Sequence, residues 1–200
     1  MKLTKPLTAL GVATAVALPL LIAGPAQADE AATPEQLPQF ALQALTGPED
    51  TSTSTFTVPA GKYTDAAGKV RTFAAQATWV CNGKTDNPHW SKGAASVIAK
   101  TRVTCKGPTA TVPIRVESLL GRTTHNSINS LQIVAESNYV QNVAADPNGL
   151  MSQTWYVPAQ GSATHIARNA YFRGSHSGQA APPLKPFNIG AAASAFIYVP

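Results

Sequence analysis

Residues 97–117 read VIAKTRVTCKGPTATVPIRVE, and the period of this stretch decides the fold class. Val97, Ala99, Thr101, Val103 and Cys105 alternate with Ile98, Lys100, Arg102 and Thr104. After Gly107-Pro108 the rhythm resumes, with Ala110, Val112, Ile114 and Val116 set against Thr111, Pro113, Arg115 and Glu117. A period of two puts every second side chain on one face of a β-strand, and a Gly-Pro break between two such runs marks a turn. Pro113 lacks a ladder donor, so the second strand is expected at an edge or at a bulge.

The same period extends outward. Phe73, Ala75, Ala77, Trp79 and Cys81 alternate upstream, and Leu131, Ile133, Ala135, Ser137 and Tyr139 downstream. Shorter strands are expected at 151–157, 164–172 and 192–199, with a turn at DPNG (146–149) and a loop at GSHSGQAAPPLKP (174–186). Residues 127–145 also fit helical spacing, through Ile128, Leu131, Val134 and Ala135, but strand is the preferred reading. The expectation is an all-β domain, an antiparallel β-sandwich of about seven or eight strands. Trp79 and Trp155 fall on inward registers.

The N-terminus carries a different signal. Lys2 and Lys5 precede an apolar run, Leu7–Ile22, which ends in the small-x-small triplet Ala26-Gln27-Ala28. This reads as a signal peptide (1–28) cleaved after Ala28 and a secreted, extracellular product; an uncleaved anchor is the competing reading. Residues 29–50 hold five carboxylates and no Lys or Arg, whereas residues 51–200 hold seven Lys and six Arg against five carboxylates, a net +8. An acidic leader or linker (29–55) therefore precedes a basic β-rich domain (56–200). The leader contains one short helix, Pro34–Leu45, with Leu37, Phe40, Ala41, Ala44 and Leu45 near one face and Gly47-Pro48 as its stop. It either docks on the domain or acts as a solvated spacer, and the spacer is preferred. The run TSTST (51–55) is read as a hinge.

Cys81 and Cys105 are the only cysteines. In an exported chain two cysteines favour a disulfide over a metal site. Both sit on the inward register, so the bond would pin two strands from the core side. Between them, NGKTDNPHWSKG (82–93) reads as a turn-rich loop. Its His89, Trp90 and Lys92, with Lys84 and Lys100 nearby, are the candidate binding residues.

Catalytic constellations are weak. His89, His125, His165 and His176 are far apart, and GSHSG (174–178) fails as a nucleophile elbow because its centre is His176. There is no zinc-ligand spacing, and no metal or other cofactor is expected. Glu117 and Glu136 lie on polar faces of successive strands, where solvent-exposed charge is the simplest reading. Lys and Arg are scattered singly, which argues against nucleic acid as a partner.

The stretch CNGKTDNPHWSKGAASVIAKTRVTCKGP resembles a group of small exported actinobacterial two-cysteine β-proteins of uncharacterised function. The positions that carry the likeness are Cys81, Asn87, Pro88, His89, Ser91, Gly93, Val97, Ala99, Lys100, Thr101 and Cys105, within about 28 of the 200 residues. The resemblance implies export and a disulfide-pinned β fold, and it brings no activity or catalytic residue with it. The expectation is a non-enzymatic extracellular or cell-envelope module whose partner is an anionic or glycan wall polymer or another extracellular protein. No membrane partner is expected after signal cleavage. The alternatives are a secreted hydrolase with residues assembled from separate strands, and an exported protease inhibitor presenting 82–93.

Overall fold

The computed structural model of the chain describes residues 33–48, 51–59, 61–64, 70–73 and 78–200. The strands are Thr53–Val58 (β1), Gly61–Thr64 (β2), Val70–Phe73 (β3), Trp79–Thr85 (β4), His89–Ser91 (β5), Ser96–Lys106 (β6), Ala110–Thr123 (β7), Gln132–Ala145 (β8), Ser152–Val157 (β9), Ala170–Ala180 (β10), Gly190–Ala193 (β11) and Ile197–Val199 (β12). One helix, Leu37–Thr46 (α1), follows a 3-10 turn at Pro34–Gln36. The signal-peptide expectation and the alternation over 74–77 lie outside the described residues. Twelve strands among those residues exceed the expected seven or eight because several are only three or four residues long.

Apart from a separate β2–β3 hairpin, the strands form two antiparallel sheets. The front sheet runs β1-β4-β6-β5, with β9 on the other side of β6; the back sheet runs β11-β10-β7-β8, with β12 also on β10. Phe56, Trp79, Val103 and Trp155 of the front sheet share one buried cluster with Val112, Ile114, Val116 and Val143 of the back sheet. The alternation is literal in β4, where Trp79, Cys81, Gly83 and Thr85 are buried and the residues between them exposed. Both inward tryptophans are fully buried, and each indole N–H donates to a carbonyl, Trp79 to Pro108 at 2.8 Å and Trp155 to Tyr139 at 3.0 Å.

Cys81 and Cys105 are bonded, directly opposite each other on β4 and β6, and fully buried. They are separated by 24 positions. Reduction is expected to lower the unfolding free energy by about 3 kcal/mol, since a loop of that size regains its closure entropy. Urea unfolding with and without reductant checks this, and an unchanged midpoint would leave the bond without a stabilising role.

Several expectations are corrected. Residues 82–93 are not a loop: they form one arm of a hairpin, β4 then β5, paired along β6. Thr85 pairs with Thr101 and His89 with Ile98, so four steps on one arm meet three on the other. One extra residue is absorbed around Asp86–Pro88, as in a bulge. The TSTST hinge is mostly strand, since β1 starts at Thr53 and pairs with β4. Pro113 is on a central strand, so the edge alternative fails, while the strand does carry an irregularity, at Leu120/Gly121. Its carbonyl accepts from Ala181 N just beyond the end of β10, so its missing N–H falls where the ladder has already stopped. Residues 132–145 are strand, as preferred, behind a 3-10 turn at Ile128–Ser130.

The largest of these corrections lies at 174–186. The expected loop 174–186 begins as β10, which is buried from Phe172 to Ala180. The expected strand 164–172 shrinks accordingly to its last three residues, and 192–199 is split into the end of β11 and β12. Strand β10 is small and polar because both its faces are covered. Towards the front sheet, a Cβ on Gly174 would lie 2.8 Å from the Ala99 Cβ. A Cβ on Gly178 would lie 3.1 Å from the Phe56 ring.

The opposite face of β10 holds α1. Leu37, Ala41 and Leu45, four apart and so on one stripe, are fully buried, while Phe40 and Leu42 are exposed. Ser175 Oγ donates to the Ala41 carbonyl at 2.8 Å and Ser177 Oγ to that of Leu37 at 2.7 Å. Buried Arg173 donates to the carbonyls of Leu45 (3.1 Å), Gly47 (2.6 Å) and Ser194 (2.8 Å). The spacer reading of this helix is overturned: α1 is packed on the back sheet.

Candidate functional site

The solvent-facing side of the front sheet follows from strand alternation. Lys84 comes from β4, Lys100, Arg102 and Lys106 from β6, and Thr154 and Tyr156 from β9. Register places Lys84 opposite Arg102, Lys100 opposite Tyr156, and Arg102 also opposite Thr154. Neighbouring strands are about 4.8 Å apart and alternate residues along a strand about 7 Å apart, so cations scattered in sequence become a cluster. Asp86 lies among them, with both its oxygens facing Arg102 Nη1 at 2.8 and 2.9 Å, and Asp146 is joined to Lys106 by a β-bridge at the far end of the strip. The Arg102 side chain is 48 % exposed, so this pair contributes under about 1 kcal/mol. The Lys100 ammonium lies 5.7 Å from the centroid of the Tyr156 ring, within cation–π range.

Tyr156 also borders a cleft of about 490 Å³. One wall is the hairpin tip, Ser91–Ser96; the other is the loop 158–165, which brings Gln160, Ser162, Thr164 and His165. Ile98 lies on the floor side. The walls are tied together by Ser96, whose hydroxyl accepts from Ile166 N at 2.9 Å and donates to the Val97 carbonyl at 3.1 Å. Val97 N in turn donates to the Ile166 carbonyl at 3.0 Å. Gly161 turns the loop at φ +76°, a conformation that favours glycine. The cleft thus combines one aromatic edge with hydroxyl, amide and imidazole groups, a lining suited to polar, ring-shaped ligands.

The five candidate binding residues are separated by this geometry. Lys84 and Lys100 join the exposed cationic face, and Lys92 is exposed at the hairpin tip. His89 pairs with cleft-lining Ile98, and its Nδ1 is 3.2 Å from the Asn87 carbonyl, to which it donates. Trp90 pairs with inward Val97 and packs against the second buried cluster, with the Arg168 guanidinium 5.2 Å above its ring. Arg102, Lys106 and the cleft loop were not singled out from sequence. Only register brings them together, and no local motif carries it.

A second polar constellation is sealed between the sheets. His176, fully buried, has Ser54 Oγ 2.7 Å from Nε2 and Thr85 Oγ1 2.6 Å from Nδ1. The chain continues through Thr101 to Ser118, at 3.3 and 3.5 Å. One imidazole nitrogen donates and the other accepts, so both hydroxyl partners are satisfied. Burial pushes the imidazole down to about 4. A serine and a histidine at this distance suggest a dyad, but the third member is a threonine and no surface reaches them, so the role is structural.

Glu117, expected on a solvated face, is buried on the back sheet beneath the region of α1, opposite Asn138 and Ser177. Burial raises its carboxyl to about 6, opposed by a hydrogen bond from Asn138 and reinforced by Glu136. Arg115, on the same face, lowers it. Comparison of the chain with protein-family models and with curated proteins finds no match.

Proposed function

We propose that the chain is an exported, non-enzymatic module of the cell envelope whose front-sheet face holds an anionic, sugar-containing wall polymer. In this reading residues 1–28 direct export and are removed, and the two sheets form a β-sandwich that presents the face. The observation that carries it is the clustering of Lys84, Lys100, Arg102 and Lys106 on one open face, against Asp86 and Asp146. Negative groups of the polymer lie along this strip, and Tyr156 stacks against a ring that enters the cleft. Ser91, Ser162, Thr164 and His165 offer donors and acceptors there. The hydrolase alternative has less support: His89 faces a carbonyl and His176 is sealed, so neither has the carboxylate and accessible hydroxyl that a general base serves.

The test is co-sedimentation of the purified, oxidised protein with isolated wall material over a range of salt. Binding is expected to weaken as salt screens the exposed cations. Replacing Lys84, Lys100 and Lys106 together by Gln is expected to reduce binding at low salt at least tenfold. Tyr156→Ala is expected to weaken a residual, salt-resistant part. Retention by the triple variant equal to that of the parent protein would sink the proposal.

A further inference from the structure

The turn between β8 and β9 presents two large apolar side chains to solvent. Leu150 is 77 % exposed and Met151 59 %. They are not on a loose tip. The Asp146 carboxylate accepts four main-chain N–H groups: Asn148 at 2.7 Å and Gly149 at 2.8 Å through Oδ1, Leu150 at 3.0 Å and Met151 at 3.2 Å through Oδ2. The Asp146 main chain is fixed as well, since its N–H donates to the Cys105 carbonyl at 3.3 Å and its carbonyl accepts from Gly107 at 3.1 Å. Gly149 takes φ +67° and packs against Lys106, whose Cβ would be 3.2 Å from a Cβ added there. The turn is thus built onto the disulfide-pinned end of β6, and it holds Leu150 and Met151 outward.

Exposed apolar side chains held rigidly side by side mark a contact surface, and the surrounding charge selects the partner. Lys106 stands beside the turn, and opposite it on β4 is Val80, itself 42 % exposed. Arg102 and Lys84 continue the same face. The carboxylate in the turn is saturated by its main-chain donors. An apolar tip with a cationic flank fits a surface that is apolar a few ångströms down and anionic on top. No helix among the described residues is long and apolar enough to cross a membrane.

We propose that the Asp146-clamped turn is a membrane-contacting tip, inserting Leu150 and Met151 into the interface of an anionic lipid bilayer while Lys106 and its neighbours meet the headgroups. Two such side chains with a basic flank give reversible attachment, since one weak signal alone does not hold a protein at a bilayer. The site is separate from the cleft at the other end of the front sheet.

The experiment is sedimentation of the processed protein, residues 29–200, with phosphatidylcholine vesicles containing or lacking phosphatidylglycerol. Binding to the anionic vesicles is expected, with at least tenfold weaker binding to the neutral ones. Leu150→Ser with Met151→Ser is expected to reduce anionic-vesicle binding about a hundredfold. Because both residues are exposed, the urea midpoint and wall-polymer binding should stay unchanged. Asp146→Asn, which keeps both apolar residues but weakens their clamp, is expected to give an intermediate loss. No binding to either vesicle, equal binding to both, or a double Ser variant that binds like the parent protein would each overturn the proposal. Loss of wall binding with vesicle binding intact would instead count only against the polymer reading.

Discussion

Arg173→Ala is expected to lower the unfolding free energy by about 3–5 kcal/mol and to release α1 before the sheets unfold. Arg173 is 1 % exposed, and its guanidinium bonds three carbonyls from two separate segments. Two of these, Leu45 and Gly47, are orphan acceptors at the end of α1, where a cation also complements the helix dipole. The third, Ser194, lies in the connection between β11 and β12, and the guanidinium stacks 5.1 Å from the Phe196 ring. Truncation leaves the buried Leu45 and Ser194 carbonyls short of a donor and opens a cavity beside them. Ser175→Ala and Ser177→Ala each remove one helix-to-strand bond and are expected to cost about 1 kcal/mol. The check is urea unfolding together with the rate of proteolysis in the connection after α1. A loss below about 1 kcal/mol for Arg173→Ala, with no faster cleavage, would mean that the helix is not held by this residue.

This contact also explains what the sequence concealed. Alternation was legible wherever a strand has one buried and one open face, as in β4 and in the stretch from Val97 to Cys105. It failed at β10, where both faces are covered and the residues that fit are Gly174, Ser175, Ser177 and Gly178, the composition of a loop. The docking of α1 was equally hidden. Its apolar stripe was visible, but its receptor is a row of polar side chains more than 120 positions away that bond helix carbonyls. The cationic face belongs to the same class of information. Lys84 and Arg102 become neighbours only because the hairpin register pairs them, and that register depends on the extra residue absorbed before His89.

Between about pH 6.5 and 4 the interior is expected to lose about 3 kcal/mol of stability through His176 alone. Its folded-state pKa is depressed to about 4 by burial, whereas the unfolded imidazole titrates near its ordinary 6.5. As pH falls through this window the unfolded chain takes up the proton first, so stability present above 6.5 drains away towards 4. No charged partner compensates within its hydrogen bonds, because Ser54 and Thr85 are both neutral. Glu117 acts in the opposite sense. Its pKa is raised by burial from 4.5 to about 6, so between these values the unfolded chain has released a proton that the folded chain keeps. Stability from this group therefore falls as pH rises through that window, and the cost persists at neutral pH. Asp146, held low chiefly by the Asn148 N–H, titrates below the range in question. The two buried groups consequently oppose each other from about pH 4.5 to 6, and together they contribute a nearly flat stability profile there. Glu117→Gln is expected to raise stability at pH 7 and to expose the histidine slope, approaching 1.4 kcal/mol per pH unit. His176→Asn should leave a profile whose stability instead declines with rising pH, whatever its absolute cost in packing. Urea unfolding at half-unit steps from pH 4 to 7.5 separates the three proteins by slope. Parallel profiles for the parent protein and Glu117→Gln would show that the carboxylate is solvated and that the face beneath α1 is wet.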